Sequence, residues 1–284
     1  MQSIYTKSLL LSLLATMLLA SCTKRELIRQ GDSLEVAYEK ALALYEDEHY
    51  ADAARAFETV IQIGLGTDYG RHAQYYLAES YYNDRRYLLA ATEYERFISQ
   101  FPRSERREEV QFKEAYCYYQ LSPRYRLDQE YTYTAIEKLR IFNSNFSDSD
   151  RTQEAAQYIS DLRAKLARKQ YNAGDLYMRM REYEAAIIYF DLTIENYPDT
   201  PWAEQALVDE INAYNIYASR SVEEMQRPRY ESAVEAYETY VQLFPNGENR
   251  SLAEQYVDNA RSALSSLPGA PAADSVGADN RPTP

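Results

Sequence analysis

The sequence predicts an all-α protein made of about five helical hairpins stacked in series and closed by a C-terminal capping helix. Three observations lead there. A Tyr-x-x-Ala pattern, followed four residues later by a large apolar side chain, recurs along the chain. A small residue with a larger apolar one three positions on precedes each copy. Gly and Pro number only 8 and 10 in 284 residues, too few for a chain built of turns and short strands.

The clear copies are Tyr50-Ala53-Phe57, Tyr87-Ala90-Tyr94, Tyr183-Ala186-Phe190 and Tyr230-Ala233-Tyr237. A weaker one pairs Ala135 with Leu139 and carries Thr132 where the others have Tyr. Eleven residues beyond Ala90, Ala135, Ala186 and Ala233 stand Phe101, Phe146, Tyr197 and Phe244, and Pro102, Pro198 and Pro245 follow three of these. Proline cannot donate to the helical ladder and restricts the residue before it, so it ends the second helix of a hairpin. The first helices carry Ala41-Leu44, Ala78-Tyr81, Ala115-Tyr118, Gly174-Tyr177 and Ala213-Ile216. Small residues there let two helices approach closely. Five copies in one register resemble the tetratricopeptide repeat, and the likeness runs from about Ser33 to Leu243. It implies a tetratricopeptide-repeat superhelix.

Twelve residues separate the small residue from the hairpin alanine in copies one, two and four, and twenty in copies three and five. The surplus falls at 122–129 and around 219–228, so both inserts are expected to lengthen the turn between paired helices. From Asp150 to about Met180, Ala155, Tyr158, Ile159, Leu162 and Leu166 keep helical spacing without a Pro. One long helix is expected there, joining copies three and four, with Asp148 or Asp150 capping its start. The organisation is then 33–149 for the first three repeats and 150–266 for the long helix, repeats four and five and a capping helix from Ser251 to Ser266. Residues 267–284, rich in Pro, Gly, Ala, Asp and Ser, are expected to be disordered.

Residues 1–21 read as a lipoprotein signal peptide. Lys7 supplies a positive start, Ser8 to Leu19 carries no charge, and Leu19-Ala20-Ser21-Cys22 matches a lipobox. The apolar run is too short to span a bilayer, which needs about 20 residues. Cys22 is the expected lipidation site, 22–32 a lipidated linker, and acyl chains rather than a helix would hold the protein to its membrane. Thr23 stands where the enterobacterial inner-membrane retention signal has Asp, so the analogy points to the outer membrane.

The formal net charge is −13, and removing Lys7 with the signal leaves −14. Nucleic acid needs a basic footprint, so it is not an expected partner. His49 and His72 are too few and too isolated for a zinc site. Gly64-Leu65-Gly66 reads as a helix end rather than a phosphate loop. Carboxylates alternate with basic residues, as in Glu105-Arg106-Arg107-Glu108-Glu109, in the manner of a solvated helix face. With Cys22 lipidated, Cys117 has no disulfide partner and reads as a buried, inert thiol. No catalytic residue, metal or cofactor is expected.

The chain holds 29 Tyr against 8 Phe and 1 Trp, and Tyr suits surfaces that are half buried and half wet. In tetratricopeptide folds the first helix of each repeat lines the concave face. Carrying that register over places Tyr38 and Tyr45, Tyr75 and Tyr82, then Phe112, Tyr116 and Tyr119 along one groove, a candidate site for an extended peptide with aromatic side chains.

Lipobox, five repeats, long central helix and third-repeat insert together resemble the BamD lipoprotein family of the β-barrel assembly machinery. Residues 127–136, Leu-Asp-Gln-Glu-Tyr-Thr-Tyr-Thr-Ala-Ile, are similar to that family's start of the third hairpin, and Asn196-Tyr197-Pro198-Asp199-Thr200 to its end of repeat four. The resemblance implies a lipid-anchored, periplasm-facing subunit at the outer membrane. It implies that the C-terminal half docks on the POTRA domains of BamA and that the N-terminal half recognises the aromatic-ended C-terminal signal of unfolded outer-membrane proteins. Other Bam lipoproteins are implied as further partners. Ser147 in place of a Pro and the tail after Leu267 depart from the family pattern. The alternative function is a periplasmic scaffold lipoprotein associated with peptidoglycan or the Tol system.

Overall fold

The computed structural model describes residues 28–268. The 1–21 signal, Cys22, the start of the linker and the tail from 269 lie outside the described residues. Among the described residues eleven helices follow one another and no strand occurs. Helices α1 (Leu34–Glu46) and α2 (Tyr50–Ile63) form the first repeat, and α3 (Asp68–Asn83) and α4 (Tyr87–Gln100) the second. The third register holds α5 (Arg107–Leu121) and α6 (Glu130–Asn145), the fourth α7 (Thr152–Met180) and α8 (Tyr183–Asn196). Helices α9 (Pro201–Ser219) and α10 (Glu223–Leu243) make the fifth, and α11 (Arg250–Ser266) is last. They fall in two compact units, one ending at Gln120 and one beginning at Leu121.

Within the first unit α1 packs on α2, α2 on α3 and α3 on α4, and α1 also touches α3. Within the second, α7 through α11 pack each on the next, while α9 touches both α7 and α11. First helices of successive repeats thus meet directly, which is how tetratricopeptide repeats stack. The fold is all-α and of that type.

The register explains the packing. Ala41, Ala53, Ala78, Ala90, Ala115, Ala135, Ala186, Ala213 and Ala233 are all 0% exposed, and Gly174 is buried. A methyl group or less at each site lets the backbones close in. The larger residue four positions beyond the second-helix alanine then fills the seam: Phe57, Tyr94 and Leu139 are fully buried and Phe190 nearly so. Burial of each such side chain is worth about 1.5–3 kcal/mol.

The turns repeat as well. In the three repeats with the short spacing, the residue seven after the small one is left-handed: Glu48 at φ 60°, Arg85 at 59° and Arg181 at 66°. Each is followed by an N–H that reaches five residues back, His49 to Leu44 O at 2.8 Å, Arg86 to Tyr81 O at 2.9 Å and Glu182 to Tyr177 O at 3.0 Å. That is a Schellman closure made without glycine. Second helices end alike too. Phe101, Phe146, Tyr197 and Phe244 sit at φ between −126° and −136° with ψ between 49° and 62°. Phe146 keeps this geometry although Ser147 follows it, so the exit belongs to the seated aromatic ring, not to proline.

Three details differ from or refine the expectations. No side chain caps α7; neither Asp148 nor Asp150 does so, and Arg151 precedes the helix. The Ser149 hydroxyl accepts from the Arg151 N–H at 3.1 Å, and the Thr152 hydroxyl donates back to Phe146 O at 3.0 Å. Ser149 and Thr152 therefore hold the helix start. The fifth-repeat insert does not lengthen a turn: α10 already begins at Glu223 and runs through Pro228. The early turns are held by Gln226, whose amide donates to Ser221 O at 3.0 Å, and by Arg229, whose guanidinium lies 3.4 Å from the Tyr217 ring centre. The third-repeat insert is a loop, as expected. Gln129, 3% exposed, organises it by donating to Arg124 O and Leu127 O, both at 2.9 Å, and it accepts from the fully buried Thr132 hydroxyl at 2.7 Å. Thr132 stands where other repeats place Tyr because this position must bind Gln129.

Two predictions follow from the packing of the second unit. A Cβ on Gly174 would lie 2.6 Å from the Phe190 ring. Gly174→Ala should therefore destabilise by about 1–3 kcal/mol through overpacking, against a helix-propensity gain of about 1 kcal/mol; an unchanged or raised urea midpoint would refute this. Glu210 on α9 is 7% exposed, and burial, with the charge of Asp191 beside it, pushes its carboxyl up to about 8. The folded state then holds a proton that the unfolded state releases near its ordinary value, so stability falls as pH rises toward 8. Glu210→Gln should flatten that decline, gaining at least about 1 kcal/mol at pH 8 and little at pH 5; parallel melting-temperature profiles for variant and parent would count against it.

Candidate partner-binding surface

The seven aromatic residues singled out along the groove all lie in the unit that ends at Gln120. Tyr38 and Tyr45 stand on α1, Tyr75 and Tyr82 on α3, Phe112 and Tyr119 on α5, each pair two turns apart and so on one face of its helix. Tyr116 lies one turn from both Phe112 and Tyr119.

The structure gathers the seven into two groups of touching rings. Tyr38 meets Phe57 at 6.2 Å between centroids, Phe57 stacks on Tyr76 at 5.5 Å, and Tyr76 meets Tyr45 at 5.2 Å and Tyr75 at 5.3 Å. Tyr82 meets Tyr116 at 6.4 Å, which stacks on Phe112 at 6.4 Å and on Tyr119 at 5.7 Å. Between the two groups stands the Lys113 ammonium, 5.9 Å from the Tyr75 ring centre and 5.7 Å from that of Tyr82. Their burial is unequal. Tyr75 at 7% and Phe112 at 5% are packed in and support the surface from beneath. The other five are half-buried, with one flank open to a ligand.

Charge is organised around Glu79, which is 6% exposed. Lys113 donates to both its oxygens at 2.7 and 2.8 Å, and the Tyr94 hydroxyl donates at 2.5 Å. Lys113 also pairs with Glu109 at 3.0 Å, and Glu109 accepts from the Tyr75 hydroxyl at 2.9 Å. Although burial opposes it, the contacts with Lys113 and Tyr75 hold the Glu109 carboxyl below its usual range. Burial pushes the Tyr45 and Tyr82 hydroxyls up to about 12, so both remain protonated donors. Lys113 thus joins Glu79 and Glu109 in one network. Cys117 is fully buried, and burial pushes its thiol far above the usual range, so it stays protonated.

One edge of this surface opens into a cavity of about 390 Å³ lined by Tyr75 and Phe97, by Arg71, His72, Arg103 and Arg106, and by Ser104 and the single acid Glu105. The Arg106 guanidinium lies over the Tyr75 ring at 4.3 Å, a cation–π contact worth about 0.5–1 kcal/mol where exposed. Aromatic walls beside three guanidinium groups can hold an apolar ring and a carboxylate together. Arg103, Arg106 and Lys113 are the residues that periodicity overlooked. They lie on the inter-repeat turn and on α5, and only the stacking of α5 beside α3 carries them to the rings.

The sequence is similar to those of several proteins. The family described as outer membrane lipoprotein, YfiO, matches residues 30–227. A putative outer membrane protein assembly factor BamD of Aquifex aeolicus is 26% identical over 243 residues, 78% of this chain and 79% of its own. The outer membrane protein assembly factor BamD of Caulobacter vibrioides is 22% identical over 191 residues, 67% of this chain and 63% of its own. The solved TPR2AB-domain:pHSP90 complex of yeast Sti1 is similar at 15% identity and a TM-score of 0.36, with 81% of this chain and 86% of that one covered. With a family match across most of the repeat region, the chain belongs to the YfiO family of outer membrane lipoproteins.

Proposed function

We propose that this protein is an assembly factor for outer-membrane β-barrel proteins, the role its relatives carry in their names. It acts as a periplasm-facing subunit, tethered through acylated Cys22 and the 22–32 linker. The 33–149 region takes up the C-terminal signal of unfolded barrel proteins, and 150–266 docks on the POTRA domains of BamA. Among the described residues no helix is long and apolar enough to cross a membrane, and acyl chains, each buried CH₂ contributing about 0.8 kcal/mol, supply the attachment.

One observation supports the substrate half of this reading above the rest. Arg71, Arg103 and Arg106, against the single acid Glu105, converge with Tyr75 and Phe97 on one cavity, beside two groups of rings that Lys113 bridges. A chain that ends in an aromatic residue presents an apolar ring and a free carboxylate a few ångströms apart. Guanidinium groups bind carboxylate in a planar fork, and the rings offer offset or edge-on contact. Preceding residues of an extended chain would run along Tyr82, Tyr116 and Tyr119, whose hydroxyls can reach its backbone.

Arg103→Gln and Arg106→Gln together should weaken binding of a labelled peptide ending in phenylalanine by about tenfold, or 1.4 kcal/mol. Amidating the peptide terminus should cost as much in the parent and almost nothing more in the double variant. Additive losses would show that the arginines do not meet the carboxylate. Tyr75 is too deeply packed for truncation to be informative, so Tyr82→Ala and Tyr116→Ala test the rings, with unchanged circular dichroism as control. For the anchor, Cys22→Ser should release the protein from carbonate-washed membranes; retention in the membrane fraction would remove lipidation from the account.

A further inference from the structure

A second concave surface lies wholly in the unit that begins at Leu121. Loop 122–129, the middle of α7 and the start of α9 enclose a cleft of about 860 Å³. Four cations line it, Arg124, Arg126, Lys165 and Arg168, against the single acid Asp161. The chain as a whole carries −13, so this is a local reversal of sign. None of the four forms an ion pair with a carboxylate among the described residues.

Their contacts are with neutral groups. Lys165 donates to the Ser122 hydroxyl at 2.7 Å, and Arg126 Nε to the Tyr125 hydroxyl at 2.9 Å. The Arg168 guanidinium lies 4.5 Å from the Tyr125 ring centre and 5.5 Å from that of Trp202. Lys165 is partly buried, and desolvation lowers its pKa despite the nearby Asp161. Like charges held together in a partly dry cleft repel one another, and Asp161 is the single acid of the chain set against the four. An anionic ligand would relieve that repulsion.

We propose that this cleft is a docking site for an acidic, extended segment of a protein partner. Side-chain carboxylates of that segment pair with Arg124, Lys165 and Arg168, while its apolar atoms lie on Tyr125 and Trp202. Shape and lining favour a peptide over other anions. Inorganic phosphate would fill a small part of the cleft and has no use for two aromatic walls. A bilayer face is flat, and this surface is concave. The guanidinium of Arg168 is laid against rings, which holds its plane and leaves its N–H edge free for a carboxylate. All of its lining residues belong to the second unit, so the assignment does not depend on what the first unit binds.

Trp202 is the only tryptophan in the chain, so its emission reports on this cleft alone. The full mature chain in detergent would be titrated at low salt with an acetylated, amidated Glu-Glu-Leu-Glu-Glu-Leu peptide. The expected result is a saturable change in emission, weakened about tenfold by Arg124→Gln with Arg168→Gln and again by raising salt from about 50 to about 500 mM. Because Arg168 touches Trp202, calorimetry of the same pair separates lost binding from an altered fluorophore. Arg124 is exposed, so the single variant Arg124→Glu preserves the packing and should also weaken binding about tenfold. No saturable signal, equal affinity in parent and variants, or equal competition by inorganic phosphate or phosphatidylglycerol vesicles would each overturn the assignment.

Discussion

Close approach of paired helices at small residues is the constraint on which the rest of this structure depends. Nine alanines and one glycine occupy the contact points of the repeats, and every one is buried. A larger side chain at any of them would push two backbones apart and open the seam that Phe57, Tyr94, Leu139 and Phe190 fill. Interiors pack at crystal-like density, so such a gap cannot be absorbed by neighbours. The recurrent exit conformation of Phe101, Phe146, Tyr197 and Phe244 follows from the same seam, because each helix stops where its aromatic ring turns inward to close it.

The abundance of tyrosine and of acid is one design rather than two. Tyr hydroxyls donate to carboxylates again and again: Tyr75 to Glu109, Tyr81 to Glu58, Tyr94 to Glu79, Tyr171 to Asp209, Tyr217 to Glu184 and Tyr240 to Glu204. Each bond lets a ring fill space in the stack while its polar end adds a donor to an acid, beside Lys113 for Glu79 and Glu109, Gln205 for Asp209 and the Asn249 N–H for Glu204. Hydrogen bonds to charged groups contribute about 1.5–3 kcal/mol, more than neutral ones. Phenylalanine would pack as well and take that donor away. The half-buried state of so many rings comes from this dual duty, and it leaves aromatic flanks available at the surface.

Both candidate surfaces arise where the chain departs from its own repetition. In the first unit the inter-repeat turn adds Arg103 and Arg106 to the rings of α3. In the second, the third-repeat insert is pinned by Gln129 and Thr132, and it swings Arg124, Tyr125 and Arg126 over α7.

The linear pattern settled the helices, their order and the hairpin register, because all of these are set by spacing along a single helix. It misjudged the 219–228 insert, since Pro228 signals a break while contacts of Gln226 and Arg229 with Ser221 and Tyr217, which no local pattern reveals, keep the segment helical. It placed Asp148 or Asp150 at the head of α7, where Ser149 and Thr152 do the work, because any nearby oxygen looks equivalent until the backbone direction is known. What only the tertiary structure decided is which groups from different helices meet: Lys113 with Glu79, Arg106 over Tyr75, Arg168 between Tyr125 and Trp202. Those encounters depend on the angle and offset at which helices stack, and side-chain spacing within one helix carries no information about either.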